Sequence, residues 1–187
     1  MLSILLPNHN EEYIHDLIQE AEETSLAAEI IIAVDRDSRG KGWAMREALS
    51  QATGEHIVFL DSDGDIRPRM LKRLLPFLED FDIVVGTKRV NHAPFHRKVL
   101  THLSRIYIRI MFGLQVDTQT GIKLFKREAL SDWGTDGFAF DIEVLQKAQR
   151  KGLRMIDVPI EAEITAPMSL KIIWRTLCES LRIKFLS

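Results

Sequence analysis

The sequence predicts an α/β domain with a mostly parallel, doubly wound sheet. Three observations carry that prediction: short apolar runs alternate with helical patterns, the runs are rich in Ile, Leu and Val, and polar clusters follow directly after them. Residues 2–6 form the first run, and 11–23 follow with the acidic first turn that a helix N-terminus favours. Residues 30–34 are a β-branched run that leads into Asp35, and 42–52 read as helical. The run 57–60 leads into Asp61, 70–78 read as a helix with Pro68 near its start, and 83–85 give a fourth strand. Beyond these the spacing predicts a long helix over 96–113, a strand ending at Phe125, a helix over 142–151, a strand over 153–160 and a last helix over 168–186.

At 187 residues the chain suits one domain, 1–187, with a sizeable core. Its 45 % hydrophobic and 28 % charged residues argue against disorder. A net charge of −2 excludes a chain-wide basic field, so no nucleic-acid partner is expected. The single cysteine, Cys178, excludes an internal disulfide and a Cys-rich zinc site, which fits a cytoplasmic protein. The six histidines show no ligand spacing. The N-terminus reads as a strand rather than a leader, and no run of about 18 apolar residues is long enough to span a bilayer.

Ligands of open α/β sheets bind beyond the carboxyl ends of the strands. Asn8-His9-Asn10, Asp35-Arg36-Asp37, Asp61-Ser62-Asp63 and Thr87-Lys88-Arg89 all stand at such ends, so one shared site is expected. Within it Asp61, Asp63 and Asp65 alternate. Two carboxylates ~5 Å apart repel by about 3 kcal/mol at an effective dielectric of ~20. A hard divalent cation removes that cost, and an all-oxygen donor set suits Mg²⁺ or Mn²⁺. An EF-hand is excluded, because counting from Asp61 its glycine position holds Ile66 and its terminal glutamate position holds Lys72. A solvated acidic turn capping the helix near Pro68 is the bland alternative.

In order along the chain come a strand, Pro7, Asn10-Glu11, a helix, a strand, Asp35, Gly40-Lys41-Gly42, a strand and Asp61-Ser62-Asp63. That order resembles the family-two glycosyltransferases of the GT-A fold. Asp117-Thr118-Gln119-Thr120-Gly121-Ile122-Lys123-Leu124-Phe125 and Phe138-Ala139-Phe140-Asp141-Ile142-Glu143 resemble the dolichyl-phosphate glucose and mannose synthase branch. The resemblance implies inverting transfer of a hexose from a nucleotide-sugar, UDP-glucose or GDP-mannose in type, to a polyprenyl or dolichyl phosphate. It also implies roles. Asp61 and Asp63 would hold the metal and the sugar-diphosphate, with Asp65 as a third metal ligand. Pro7, Asn10, Glu11, Asp35, Lys41 and Ser62 would complete the donor site, and His9 its wall.

A phosphate with its second pKa near ~6 is already a nucleophile at neutral pH, so the acceptor needs cations rather than a general base. Lys88, Arg89, Arg97 and Lys123 are the candidate cations, with Gln119 beside them. Lys123 and Asp141 join Asp61 and Asp63 as catalytic candidates, and Asp141 is equally expected as an N-cap for the helix from 142. On a helical wheel Val99, Leu100, Leu103, Ile106, Tyr107, Ile110, Met111 and Leu114 share one face, opposite Lys98, His102, Arg105 and Arg109. The terminal helix repeats this with Leu170, Trp174, Leu177, Leu181 and Phe185 beside Lys171, Arg175 and Arg182. Such a pair suits either packing on the core or peripheral contact with a membrane surface.

The chain departs from the family after its second strand. Relatives read Asp-Asp-Gly-Ser there, then a helix and an edge strand; here residues 34–40 run straight into the Gly-Lys-Gly turn. The GT-A sheet is therefore expected to be short by about one helix and one edge strand. A degenerate relative that binds a sugar nucleotide or lipid phosphate without turnover is the second reading. A nucleotidyltransferase is the third, although it leaves the 117–125 motif without a role.

Overall fold

The computed structural model describes residues 1–7, 11–23, 28–89, 95–162 and 170–186. Six strands form one sheet: β1 (Leu2–Pro7), β2 (Ala28–Ala33), β3 (His56–Leu60), β4 (Ile83–Arg89), β5 (Ile122–Lys126) and β6 (Met155–Glu161). Their order is β2-β1-β3-β5-β4-β6. The pairs β1–β2, β1–β3 and β4–β6 are parallel, and β5 alone runs against its neighbours. The predicted α/β class, with a mostly parallel sheet, is the architecture observed.

Helices α1 (Glu11–Glu23), α2 (Lys41–Gln51), α3 (Leu71–Leu74), α4 (Phe95–Phe112), α5 (Phe140–Arg150) and α6 (Leu170–Leu186) cover the sheet. Side chains alternate across a strand, so each strand feeds two cores. Leu5, Phe59, Val85 and Phe125 face α2, α5 and Trp133 in one core; Leu6, Val58, Val84 and Leu124 pack with Leu17, Leu71 and Leu74 in the other.

The reversal of β5 positions the site. Running antiparallel, β5 begins where β3 ends, with Ile122 in register with Leu60. The 117–121 turn that precedes β5 therefore lands beside Asp61. Reading β5 upward from there, Lys123 falls opposite Phe59 and Val85, a core position, and is only 2 % exposed.

Two local expectations need correction, and a third, left open between core and surface, divides between them. The helix predicted over 70–78 is four residues of α-helix flanked by 3₁₀ turns, Pro68–Met70 and Leu75–Glu79. Pro76 has no N–H to continue the ladder and its ring crowds the preceding turn. The fifth helix starts at Phe140 with Ala139 as its N-cap, so Asp141 lies inside the first turn and does not cap it. The wheel face named for 96–113 does not turn inward as a whole. The core takes Ile108 and Phe112, whereas Val99, Leu103, Ile106 and Ile110 are exposed.

At the other edge, β2 has β1 as its one neighbour and passes through 34–40 directly into α2. This is the shortening expected from the sequence. The Asp35 carboxylate organises the connection, accepting from the Arg39 amide at 2.8 Å and the Gly40 amide at 2.7 Å. Glu29 on β2 ties this edge to the sheet: one of its oxygens accepts from Ser3 Oγ at 2.5 Å, Thr53 N at 2.5 Å and Gly54 N at 3.0 Å. The Ser3 hydroxyl, then the Thr53 amide, hold its carboxyl at about 2, below an ordinary value of 4.5. A depressed carboxyl pKa stabilises the fold above the unfolded value, and that contribution is lost as pH falls through the folded one. Glu29→Gln is accordingly expected to cost about 1 kcal/mol near neutral pH. Denaturant titrations should show the gap from wild type closing as pH falls from 4.5 toward about 2.

Candidate active site

Asp61 stands just past β3, and its amide donates to the Gly121 carbonyl at 2.7 Å. A Cβ on Gly121 would lie 2.7 Å from Asp61 Oδ2 and 2.8 Å from Asp61 Cβ, so this glycine permits the approach. From the head of α2, Lys41 Nζ forms an ion pair with Asp61 Oδ1. Burial opposes charge on both groups, but each holds the other ionised: Lys41 is raised by Asp61 and then Asp141, and Asp61 is lowered by Lys41 and then Lys123.

Asp63 is in the opposite state. Burial, then the charges of Asp61 and Asp65, raise its carboxyl. Its Oδ1 accepts from the Asp65 amide at 3.0 Å. The Asp65 carboxylate is buried and meets Lys88 Nζ, from β4, at 2.8 Å. The Ser62 hydroxyl turns inward and donates to the Pro7 carbonyl, a strut between the ends of β3 and β1.

Behind this row sits Lys123, donating to the Thr120 carbonyl at 2.7 Å and paired with Asp141 Oδ2 at 3.2 Å. A buried ammonium needs such partners. The 117–121 turn is itself braced. Asp117 accepts from the Gln119 amide at 2.9 Å and from Arg105 of α4 at 2.6 Å, while its own amide donates to Asp157 of β6 at 3.0 Å. The Gln119 side chain donates to Ser104 Oγ of α4.

A cavity of about 850 Å³ opens onto these groups. Lys41, Asp61, Lys88, Gln119 and Asp141 line its polar end; Leu100, Leu103 and Tyr107 of α4 and Ile172, Ile173 and Leu177 of α6 line the rest. The structure thus brings together Lys41, Asp61, Ser62, Asp63, Asp65, Lys88, Gln119, Lys123 and Asp141, with Pro7 beneath Ser62. The Asp35 carboxylate accepts from the 39–40 amides. Asn10 and His9 lie outside the described residues, as do the side chains of Glu11, Arg89 and Arg97.

Among the described residues no three Asp, Glu, His or Cys side chains converge to hold a metal, so Asp65 does not complete a cluster with Asp61 and Asp63. The pair still fits a hard cation. Mg²⁺-type sites commonly take one or two carboxylates and complete their shell with substrate phosphate and water. Burial, then the charges of Asp61 and Asp65, raise the Asp63 carboxyl, a cost that a bound cation would offset.

Three structural residues escaped the sequence reading. Glu143 accepts from Gly134 N at 3.0 Å and Thr135 N at 2.9 Å, Trp133 Nε1 donates to the Gly42 carbonyl at 2.9 Å, and Arg46 donates to the Trp133 carbonyl at 2.8 Å. Each bonds to backbone far away in sequence, which no local pattern reports.

The model of glycosyl transferase family 2 matches residues 32–134. An undecaprenyl-phosphate mannosyltransferase of Micrococcus luteus is 30 % identical over 115 residues, 56 % of this chain and 47 % of that protein. A dolichyl-phosphate β-glucosyltransferase of Drosophila melanogaster is 29 % identical over 142 residues, 66 % of this chain and 44 % of that protein. The chain thus spans about half the length of these relatives. Among solved structures, glucosyl-3-phosphoglycerate synthase from Mycobacterium tuberculosis, in complex with Mn²⁺, UDP and phosphoglyceric acid, superposes with a TM-score of 0.77 at 18 % identity over 99 % of this chain and 78 % of that one. At that identity the likeness establishes the GT-A fold.

The two aspartates predict opposite effects on the metal-free protein. Asp63→Asn removes a strained charge and should raise the melting temperature by about 2 °C. Asp61→Asn strands Lys41 and should cost about 1–2 kcal/mol, at the low end because the Asp61 side chain is 32 % exposed. Calorimetry without metal reads both signs.

Proposed function

From the premise that this chain belongs to glycosyl transferase family 2, we propose that it transfers a hexose from a nucleotide-sugar to a polyprenyl phosphate. One observation carries the acceptor side: the cavity that ends on Lys88, Gln119, Asp61 and Asp141 continues between α4 and α6 as an apolar corridor. A phosphate on an isoprenoid tail has both chemistries, a charged head for the polar end and a hydrocarbon chain for the corridor. The names of the mannosyl- and glucosyltransferase relatives, each specifying a lipid phosphate, support the same class.

In the reaction, an oxygen of the acceptor phosphate bonds to the anomeric carbon. The bond from that carbon to the donor diphosphate breaks, and its electron pair leaves on the diphosphate with inversion at carbon. The acceptor oxygen is already ionised, so no proton is abstracted. Asp61 and Asp63 would hold Mg²⁺ or Mn²⁺, which would supply positive charge to the diphosphate as it leaves. Lys41 is the protein's own cation at that point, preorganised by Asp61. Lys88 faces the acceptor end, and Lys123 fixes Asp141 where a sugar hydroxyl can reach it. Both substrates are anionic, and the lysines offset their charge.

We further propose that α4 and α6 rest on a membrane surface. Among the described residues no helix is long and apolar enough to cross a bilayer. Yet Ile110, Trp174 and Phe185 are 76 %, 68 % and 72 % exposed, and Arg109, Lys171, Arg175 and Arg182 stand exposed among them. Apolar side chains flanked by cations suit an interface with anionic lipid.

Incubation with Mn²⁺ or Mg²⁺, a short polyprenyl phosphate and either UDP-glucose or GDP-mannose should yield a lipid-linked hexose with one donor. Nucleotide binding without product or donor hydrolysis would instead identify a non-catalytic relative. In flotation assays, vesicles with anionic lipid should carry the protein upward, and Trp174→Ser should reduce the bound fraction several-fold. Equal flotation of wild type and variant would remove α6 from the contact.

A further inference from the structure

The segment 133–139 spans the gap between α2 and α5, the helices that carry Lys41 and Asp141. The first N–H groups of a helix have no acceptor within it. In α2 the segment serves them: Gly42 N donates to the Gly137 carbonyl at 3.2 Å, and Trp43 N to the Asp136 carbonyl at 3.1 Å. At its other end the Ala139 carbonyl accepts from Ile142 N at 3.0 Å and opens α5. The conformation of 137–139 therefore sets the distance between the two helix starts.

Side chains from three helices hold this segment. Arg46 of α2 and Glu143 of α5 hold its first half. The second half rests on Glu179 of α6, whose Oε2 accepts from Ala139 N at 3.0 Å while Oε1 accepts from Arg175 Nε at 2.9 Å. The seating is tight: a Cβ on Gly137 would lie 1.9 Å from Glu179 Oε1, and all three of its nearest neighbours would be carboxylate atoms of Glu179. Glu179 does not line the cavity, although Thr176, Leu177 and Ser180 on the same helix do.

We propose that Glu179 is a positioning residue for the site, holding the 137–139 turn from α6 and so fixing Lys41 relative to Asp141. The inference rests on the transferase reading for its kinetic consequences and on geometry alone for its structural ones. The competing role, an i,i+4 ion pair with Arg175 on an exposed helix surface, would stabilise by a few tenths of a kcal/mol and touch nothing else.

Amide exchange of the substrate-free protein separates the two. Glu179→Ala should accelerate exchange at Gly42 and Trp43, which Glu179 does not touch, by about 10-fold, with β3 unchanged. Glu179→Gln, which loses the ion pair but keeps an oxygen for Ala139 N, should restore protection, and Arg175→Ala should match wild type. Gly137→Ala, which drives a carbon into the carboxylate, should reproduce Glu179→Ala, and the double variant should be no worse than either. In the transfer assay Glu179→Ala should lower kcat about 10-fold and leave the acceptor KM within about two-fold. Unchanged protection at 42–43, a Gln variant as impaired as Ala, or additive losses in the double variant would each overturn the proposal. A wild-type protein that transfers no sugar refutes the transferase reading instead, and the exchange comparison still decides the role of Glu179.

Discussion

The candidate site depends on one constraint: a lysine and an aspartate must meet, partly buried, at the end of a central strand. Burial opposes charge on both, and each offsets that cost for the other: Lys41, then Lys123, lower Asp61, and Asp61, then Asp141, raise Lys41. Neither helix-borne lysine nor strand-borne aspartate is local to the other in sequence. The fold supplies the meeting by running β2 directly into α2 and by reversing β5, so that Gly121 lies against Asp61 with no side chain between. Everything polar nearby follows from the same electrostatics. Lys123 balances Asp141, Lys88 balances Asp65, and burial, then the charges of Asp61 and Asp65, raise the Asp63 carboxyl.

The electrostatics of the row suit a cation: burial, then the charges of Asp61 and Asp65, raise the Asp63 carboxyl, while Lys41 holds Asp61 ionised. A divalent cation held by Asp61 and Asp63 would relieve repulsion between the carboxylates and leave room in its shell for a diphosphate. Lys41, already facing Asp61 and Asp141, would then stand beside that anion as well.

The fold was legible because β1 to β4 are each marked at both levels, by an apolar run and by the polar residues that follow it. The row Asp61, Ser62, Asp63 was legible for the same reason, and so were Lys123 and Asp141 within their motifs. What escaped was of two kinds. Pro76 broke a helix whose apolar spacing looked continuous, because periodicity registers side chains and not missing N–H groups. Glu143, Arg46 and Glu179 act on backbone atoms 8 to 87 residues away, and a contact of that kind leaves no spacing to read. Asp65 shows the converse. Its alternation with Asp61 and Asp63 suggested a third metal ligand, but period-2 spacing lasts only while the chain stays extended. Past Asp61 the chain turns, through Gly64 at φ 77°, and delivers Asp65 to Lys88.

The exposed faces of α4 and α6 have the same physical origin as the cavity. A helix with one apolar stripe buries it on the core; these two carry more apolar surface than the core can take. Ile108, Phe112 and Ile183 fill the inward positions, and the surplus divides between the corridor and the outside. Leu100 and Leu177 line the corridor, whereas Ile110, Trp174 and Phe185 face outward. Burial of an acceptor tail in the corridor and of the outer residues in lipid would draw on the same hydrophobic effect. An isoprenoid chain entering from a bilayer would therefore stay in apolar surroundings until its phosphate reaches Lys88. Helix α6, which lines the corridor, also carries Glu179, so the corridor wall and the turn between Lys41 and Asp141 share one element.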